Sequence, residues 1–317
     1  MQSVHLENGV VTVRDVAVPS RPSGYALIRL RHAGICSTDL HLQRGYYGFA
    51  GTPGHEFVGE VVECDDPGWK GETVVGEINL ACGTCGVCRR ALGRHCPNRT
   101  VLGIVRHPGA FAEYLTLPEV NLHRLPAGVP AHLGVFVEPI AAACEILDQV
   151  SIWRGAKVAV LGDGKLGLLI AQVLQLHGAQ VHLYGRHPEK MRLLEPLGVL
   201  SKDSGNTPPG GSYPFVVDAT GSSAGLERAV AMTRPRGTLI MKSTVHDRIS
   251  IDTAPIIVNE LTLVGSRCGR FEPALELLAG GKLILEPLIQ HRFALSDAPQ
   301  AFARAAQSGV CKVLFDH

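Results

Sequence analysis

A glycine-rich turn between an apolar strand and a helix constrains the fold of this 317-residue chain more than any other feature. Residues 157–161 read KVAVL, and the turn at 162–167, GDGKLG, follows directly. In such a turn the first glycine permits a sharp bend, the second lets the backbone approach a pyrophosphate, and the third lets the helix pack on the strand. The helix N-terminus favours phosphate. An ordinary glycine-rich turn is the alternative, but the context predicts a dinucleotide site that includes Gly162, Gly164, Lys165, Leu166 and Gly167.

The regions on either side of residue 125 differ in pattern. Before it, short β-rich runs separated by glycines predict a small, mostly antiparallel β domain. After it, continuous apolar strands alternate with helical segments, among them 131–150 and 189–197, which predicts a doubly wound parallel sheet. Residues 204–212, rich in Gly and Pro, are predicted as a loop. We therefore expect an α/β protein with a β domain at 1–125 and 286–317, and a dinucleotide-binding domain at 126–285.

Four of the nine cysteines lie close together, as Cys82, Cys85, Cys88 and Cys96. Four thiolates in a glycine-rich loop suit a tetrahedral Zn²⁺ site with no open position, which is typical of a structural site. Two disulfides or an iron–sulfur cluster are the alternatives. We expect a structural zinc lobe at 79–97.

Charge and hydropathy exclude several classes of protein. Thirty basic and 29 acidic residues leave a formal charge of +1, so neither a nucleic-acid binder nor a membrane-surface protein is favoured. No apolar run approaches the roughly 20 residues that span a bilayer. The first residues lack the pattern of a secretory signal. With an odd number of cysteines, this predicts a cytoplasmic protein with reduced thiols.

A second set of metal-ligand types is dispersed along the chain. Cys36, His55 with Glu56, and Glu138 are side-chain types that bind Zn²⁺, and three protein ligands with an exchangeable position would define a catalytic site. Taken alone, Cys36 is more often a buried small residue and Glu138 a charge at a helix N-terminus.

The end of the strand after the glycine turn bears on the choice of nicotinamide cofactor. NAD sites usually have a carboxylate there, whereas this strand ends in Tyr184, Gly185 and Arg186. Gly185 leaves room for a phosphate, and the planar donors of Arg186 match phosphate oxygens. Arg186 as a solvated loop residue in an NAD site is the alternative. We expect NADP, with NAD less favoured.

Six motifs occur in one order along the chain: Gly34-Ile-Cys36-Ser-Thr38-Asp39-Leu-His41, Gly54-His55-Glu56, Asn79-Leu-Ala-Cys82 with its partner cysteines, Glu138-Pro139, the glycine turn and Asp218-Ala-Thr220-Gly221. In this order they resemble the zinc-dependent medium-chain dehydrogenases of the alcohol, polyol and threonine dehydrogenase superfamily, over essentially the whole length. The resemblance implies a GroES-like catalytic domain, a Rossmann domain, a cleft between them and two zinc ions per chain. It also implies that Thr220 and Gly221 contact the cofactor.

The resemblance assigns roles to individual residues. Cys36, His55 and Glu138 match the ligands of the catalytic zinc, and Glu56 matches a carboxylate beside the metal that can exchange with water as a ligand. Asp39 matches the carboxylate that orients the metal-bound histidine. Thr38 and His41 match a proton relay; a turn residue and a surface histidine are the alternatives.

The implied reaction is reversible oxidation of an alcohol to a ketone or aldehyde with NADP(H). Glu138 in place of a third thiolate favours polyols, sugar alcohols or amino alcohols that can chelate zinc with a vicinal hydroxyl. Another secondary alcohol is also a candidate substrate. A zinc-independent carbonyl or quinone reductase, an NAD-dependent threonine or sorbitol-type dehydrogenase, and a non-enzymatic zinc and NADP binding protein are the alternatives. Relatives are dimers or tetramers, so we expect a homodimer or homotetramer, with a small molecule as substrate.

Overall fold

The computed structural model of the chain describes residues 1–206, 210–243 and 250–317. It divides into two units, one formed by Met1–Glu138 with Ala274–His317 and the other by Pro139–Pro273. The domain limits expected from the sequence, at 125 and 285, remain predictions. Part of the predicted loop at 204–212 lies outside the described residues. Within the described ranges, no helix has the length and apolar character needed to cross a membrane.

The first unit begins with a series of short strands. They are β1 (Gln2–Glu7), β2 (Val10–Asp15), β3 (Tyr25–Gly34), β4 (Glu56–Glu63), β5 (Thr73–Gly76), β6 (Asn79–Leu80), β7 (Thr100–Leu102), β8 (Arg106–His107), β9 (Tyr114–Pro118) and β10 (Leu122–Arg124). Helix α1 (Ser37–Gln43) follows β3, and helix α2 (Val137–Gln149) follows β10.

Strands and helices then alternate through the second unit. The strands are β11 (Lys157–Leu161), β12 (Gln180–Gly185), β13 (Leu200–Asp203), β14 (Tyr213–Asp218), β15 (Thr233–Met241) and β16 (Thr262–Gly265). The helices are α3 (Lys165–His177), α4 (Pro188–Met191), α5 (Ser223–Met232) and α6 (Ala254–Val258). The chain ends with α7 (Phe271–Ala279), β17 (Ile289–Phe293), α8 (Ala298–Ala305) and β18 (Lys312–Asp316).

Strand β3 is at the centre of the main sheet of the first unit. The order is β10-β5-β4-β3-β18-β17, and β9 also pairs with β3. The C-terminal strand β18 runs antiparallel to β3, so that Leu314 lies opposite Gly34. The tail of the chain thus pairs back with the N-terminal β region, as the sequence allowed. Gly34 also lies opposite Glu56 on β4, which brings β18 and β4 to the two sides of one glycine.

The second unit contains the predicted parallel sheet. Its order is β13-β12-β11-β14-β15-β16, and every pairing is parallel. The strand order reverses at β11 and β14, which is the place where ligands bind in doubly wound sheets. Buried residues from four strands and α5 form a core on one face, including Leu161, Val216, Met232 and Leu239.

Two predicted helices differ from those observed. Residues 131–136 form a 3₁₀ turn before α2. Within this turn Gly134 packs closely on Val58 and Leu125, and a Cβ there would lie 2.5 Å from a Val58 methyl. The predicted helix at 189–197 is α-helical only to Met191 and continues as a 3₁₀ turn to Leu197. Pro196 explains this change, because proline has no N–H and its ring obstructs the carbonyl four residues earlier.

Candidate active site and metal centres

The four clustered cysteines lie at the corners of a small tetrahedron of sulfur atoms. The Sγ···Sγ distances are 3.5 Å for Cys85–Cys88 and Cys82–Cys96, 3.8 Å for Cys85–Cys96 and 3.9 Å for Cys82–Cys88. A tetrahedral Zn²⁺ with Zn–S bonds of about 2.3 Å requires an edge of about 3.8 Å. The observed spacing fits zinc, and it is far wider than the ~2.05 Å of a disulfide.

The backbone around this cluster stabilises thiolate. N–H groups of Thr84 and Cys85 point at the sulfur of Cys82 and lower the pKa of that thiol to about 5. All nine cysteines lie within the described residues, and each is free of a disulfide. The donor set therefore fits a closed zinc site of the structural type.

The second predicted ligand set is partly brought together. Ligand atoms of Cys36, His55 and Glu56 lie within 4.8 Å of one another. His55 and Glu56 are buried and Cys36 is half-buried. Glu138 lies in the first turn of α2, and it does not belong to this group of mutually close ligand atoms. A thiolate, an imidazole and a carboxylate in one partly enclosed place fit a zinc ion with an exchangeable position.

Asp39 organises the loop that carries the two ligands. Its carboxylate accepts the backbone N–H of Cys36 at 2.8 Å and that of Gly54 at 3.2 Å. Its Oδ1 lies 3.4 Å from Nδ1 of His55, which is an ion-pair distance, although the angle is not that of a hydrogen bond. Burial lowers the pKa of His55, but the charges of Asp39 and Cys36 outweigh it and hold the pKa well above its ordinary value. Asp39 thus lies next to His55, and its role in orienting a metal-bound histidine stays a prediction.

Helix α1 begins immediately after Cys36 and carries the two relay candidates. Thr38 Oγ1 lies 3.7 Å from Cys36 Sγ, at the edge of the ligand group. His41 is half-buried, and its ring centroid lies 6.4 Å from that of Tyr46. Residues three apart share a face of a helix, so Thr38 and His41 are neighbours.

The glycine turn has the geometry that its spacing predicts. Gly162 has a φ of +108°, which favours glycine, and a Cβ there would lie 2.7 Å from the carbonyl oxygen of Ala219. A Cβ at Gly167 would lie 1.9 Å from the carbonyl oxygen of Gly162, so only glycine permits this helix packing. At Gly164 a Cβ would meet nothing within 4 Å. The open space at the second glycine, at the N-terminus of α3, fits a pyrophosphate.

The motif after β14 lies beside this turn. The backbone N of Thr220 would be 3.2 Å from a Cβ on Gly162, and Asp218 Oδ1 accepts both the N–H and the hydroxyl of Thr220. Gly221 donates its N–H to Ser243. Thr220 and Gly221 therefore lie at the edge of the predicted dinucleotide site.

Comparisons with known proteins agree with both halves of this description. Residues 22–127 match the family model of the alcohol dehydrogenase GroES-like domain, and residues 166–280 match that of zinc-binding dehydrogenase. D-altritol 5-dehydrogenase of Agrobacterium fabrum is 30% identical over 317 residues, covering 94% of each chain. Sorbitol dehydrogenase of Halalkalibacterium halodurans is 28% identical over 328 residues, covering 96% of this chain and 95% of that one.

A solved structure shows the same fold throughout. A zinc-binding dehydrogenase from Sinorhizobium meliloti 1021, bound to NADP, superposes with a TM-score of 0.91 at 30% identity, covering 100% of this chain and 99% of that one. The chain is a zinc-type medium-chain dehydrogenase. Membership of this family favours an alcohol dehydrogenase over the non-enzymatic and zinc-independent alternatives.

Lys312 is a residue of this dehydrogenase that sequence reasoning missed. It lies on β18, is 2% exposed, and its Nζ contacts Oε2 of Glu56, which is also 2% exposed. A Cβ at Gly34, between the two strands, would lie 2.7 Å from Glu56 Oε2 and 3.3 Å from the Lys312 side chain. Burial lowers the pKa of Lys312, but the charges of Glu56, Cys36 and Glu138 raise it above its ordinary value. Lys312 is thus the cation that faces the ligand group.

The end of β12 contains a carboxylate that the sequence did not predict there. It belongs to Asp163, the second residue of the glycine turn, whose side chain lies against Gly185. A Cβ on Gly185 would lie 2.5 Å from the Cβ of Asp163. The room beside Gly185, expected to admit a phosphate, holds the Asp163 side chain. Arg186 is exposed, and its guanidinium has no hydrogen bond among the described residues.

Proposed function

We propose that this dehydrogenase oxidises a secondary alcohol group of a polyol or sugar alcohol, reversibly, with NADP(H). The observation that carries the proposal is the group formed by Cys36, His55 and Glu56, whose ligand atoms lie within 4.8 Å of one another beside helix α1. The names of the relatives, sorbitol and D-altritol dehydrogenases, support a polyhydroxy substrate.

In this proposal Cys36, His55 and Glu138 hold the catalytic zinc. When bound, zinc supplies Lewis-acid polarisation of the substrate oxygen, and nicotinamide supplies the hydride acceptor. Asp39 keeps Cys36 and His55 in place through the hydrogen bonds of its carboxylate to the loop. Lys312 neutralises the charge of Glu56. Its contact also holds the Glu56 carboxylate beside the zinc ligands and prevents it from rotating away. Glu138, at the start of α2, adds a harder oxygen ligand that suits chelating polyols.

Proton transfer is assigned to helix α1. The hydroxyl of Thr38, 3.7 Å from the sulfur of Cys36, is close enough to the ligand group to accept the proton of the alcohol. His41 lies one turn further along the same face and is half-buried, so it can pass the proton toward solvent. Histidine titrates in the range that this task requires.

Cofactor binding is assigned to the second unit. The glycine turn, Thr220 and Gly221 would hold the dinucleotide, with the pyrophosphate at the N-terminus of α3. Two cations support NADP over NAD: the exposed guanidinium of Arg186 and the ammonium of Lys190, a residue that is 6% exposed and has no side-chain hydrogen bond among the described residues. Asp163 opposes this preference, because its carboxylate repels a phosphate.

We also propose a structural zinc at Cys82, Cys85, Cys88 and Cys96, and a homodimer or homotetramer in the cytoplasm. Free cysteines throughout the chain are consistent with a reducing compartment. Strand β16 lies at the edge of its sheet, and Ile257 and Val258, on the helix α6 that precedes it in the chain, are 71% and 79% exposed. An exposed edge with apolar neighbours is a surface that a second copy can cover. Light scattering of the purified chain tests this assembly.

Metal analysis and a substrate screen test the proposed reaction. We expect two zinc ions per chain, and we expect loss of one of them to a chelator to abolish turnover. Activity that survives this loss would favour the zinc-independent reductase instead. The screen follows absorbance of the reduced nicotinamide with alcohols, polyols and sugars, and a rate with simple alcohols alone would contradict the polyol assignment.

A further inference from the structure

The carboxylate of Asp163 is buried, and only one of its two oxygens accepts hydrogen bonds from the described residues. It is 7% exposed, and one oxygen of its carboxylate, Oδ2, accepts every hydrogen bond that the side chain makes among the described residues. The donors are the backbone N–H groups of Arg186 and His187, at 2.8 and 2.6 Å, and Nδ1 of His187, at 3.0 Å. The second oxygen, Oδ1, keeps its acceptor capacity for another donor.

These hydrogen bonds fix the carboxylate at one place in the fold. Arg186 and His187 are the first two residues after β12, so Asp163 lies at the carboxyl end of the second strand of the sheet. In dinucleotide-binding domains, an acidic residue at that end of the strand binds the ribose hydroxyl of NAD, or a nearby arginine binds the 2′-phosphate of NADP. Strand β12 itself supplies no acidic residue there, and Asp163 brings one from the neighbouring turn. Gly185 permits this crossing, because any Cβ there would overlap Asp163.

The charges around Asp163 keep it ionised. Burial raises its pKa, but the N–H groups of His187 and Arg186 and the charge of Lys190 lower it more, so the pKa lies below its ordinary value. A fixed negative charge is favourable next to a hydroxyl donor and unfavourable next to a phosphate. In addition, the two backbone N–H groups that could bind a phosphate are already occupied.

We propose that Asp163 is a cofactor-selectivity residue of this dehydrogenase, whose carboxylate accepts the adenosine ribose hydroxyl of NAD(H) and opposes the 2′-phosphate of NADP(H). The proposal rests on the assignment of a nicotinamide dinucleotide to the glycine turn. Arg186 and Lys190 act in the opposite direction, so the ratio of the two affinities reflects a balance of charges at one position. A single change at Asp163 shifts that balance toward NADP(H).

Asp163→Asn is the informative variant. Because the three donors all reach one oxygen, an amide oxygen can accept them in its place, and only the charge is removed. We expect the ratio of the dissociation constants for NADPH and NADH, measured by nicotinamide fluorescence on the zinc-loaded chain, to fall by roughly ten- to hundredfold. Asp163→Ser, which also frees the backbone N–H groups, should shift the ratio in the same direction.

Glu227→Gln is the matched control, because it removes one carboxylate from an exposed position on α5 in the same unit and should leave the ratio unchanged. A purely structural role for Asp163 would change both affinities by one factor, and that result overturns the proposal. If neither cofactor binds the unmutated chain, the proposed function fails instead. Should both variants fail to fold, a crystal structure of the wild-type chain with NADH decides, since a ribose beyond hydrogen-bonding distance of Asp163 is incompatible with this role.

Discussion

Replacing Lys312 by methionine tests whether the buried ion pair stabilises the first unit. The variant keeps most of the apolar stem and removes the ammonium, so Glu56, 2% exposed, loses the cation that it contacts. Breaking a buried pair on one side costs about 3–5 kcal/mol, because the remaining charge is neither paired nor hydrated. For a unit of this size each kcal/mol lowers Tm by roughly 2–4 °C, so we expect a fall of about 6–20 °C.

The assay is thermal unfolding after a chelator has removed the catalytic zinc, which would otherwise lie beside Glu56, and it has two controls. Lys70→Met removes an exposed lysine and should change the free energy of unfolding by about 0.5 kcal/mol or less. The double variant Glu56→Gln/Lys312→Met removes both charges, and it should recover most of the loss, since neutral replacements of buried pairs are often tolerated. A Tm for Lys312→Met within about 2 °C of wild type, or a double variant as unstable as the single one, would refute this reasoning.

Three further variants test the site. Cys36→Ser should abolish turnover and leave NADPH binding largely intact, whereas Cys64→Ser, a cysteine outside both ligand groups, should leave the rate unchanged; a retained rate in Cys36→Ser contradicts the zinc assignment. Arg186→Ala should weaken the binding of NADPH far more than that of NADH. Equal weakening of both in a fluorescence titration would contradict binding of the 2′-phosphate by Arg186. Cys88→Ser should lower Tm and release one zinc ion per chain, because a structural zinc contributes folding free energy; unchanged zinc content by metal analysis would count against that site.

The regular elements were predictable where one periodicity extended over the whole segment. Strand β11 has the limits expected from the sequence, and helix α3 follows the glycine turn as expected, since the apolar run and the turn each left a clear pattern. The predicted helix at 189–197 was wrong beyond Met191, because Pro196 lacks the N–H that an α-helix requires. The convergence of the four clustered cysteines was predictable for a different reason. Their spacing is local, so four sulfurs converge within a short loop whatever the rest of the chain does.

Contacts between distant segments were not predictable from one sequence. Lys312 lies in the apolar run Cys311–Phe315, and a buried lysine is nearly always paired. The sequence of that run does not indicate which residue is the partner, because Glu56 lies 256 positions away. The partner follows only from the sheet order, which sets β18 and β4 on opposite sides of β3.

Both missed contacts depend on a glycine. In each case a neighbouring side chain fills the space that a Cβ on the glycine would take. Gly34 lets Glu56 and Lys312 meet across β3, and Gly185 lets Asp163 cross to the end of β12. In the sequence Gly34 stands only as part of a motif, and Gly185 is expected to leave room for a phosphate. The structure shows that the space holds a carboxylate instead. A glycine beside a ligand site therefore predicts close approach of some group, and only the pairing of strands tells whether that group is the ligand or another part of the chain.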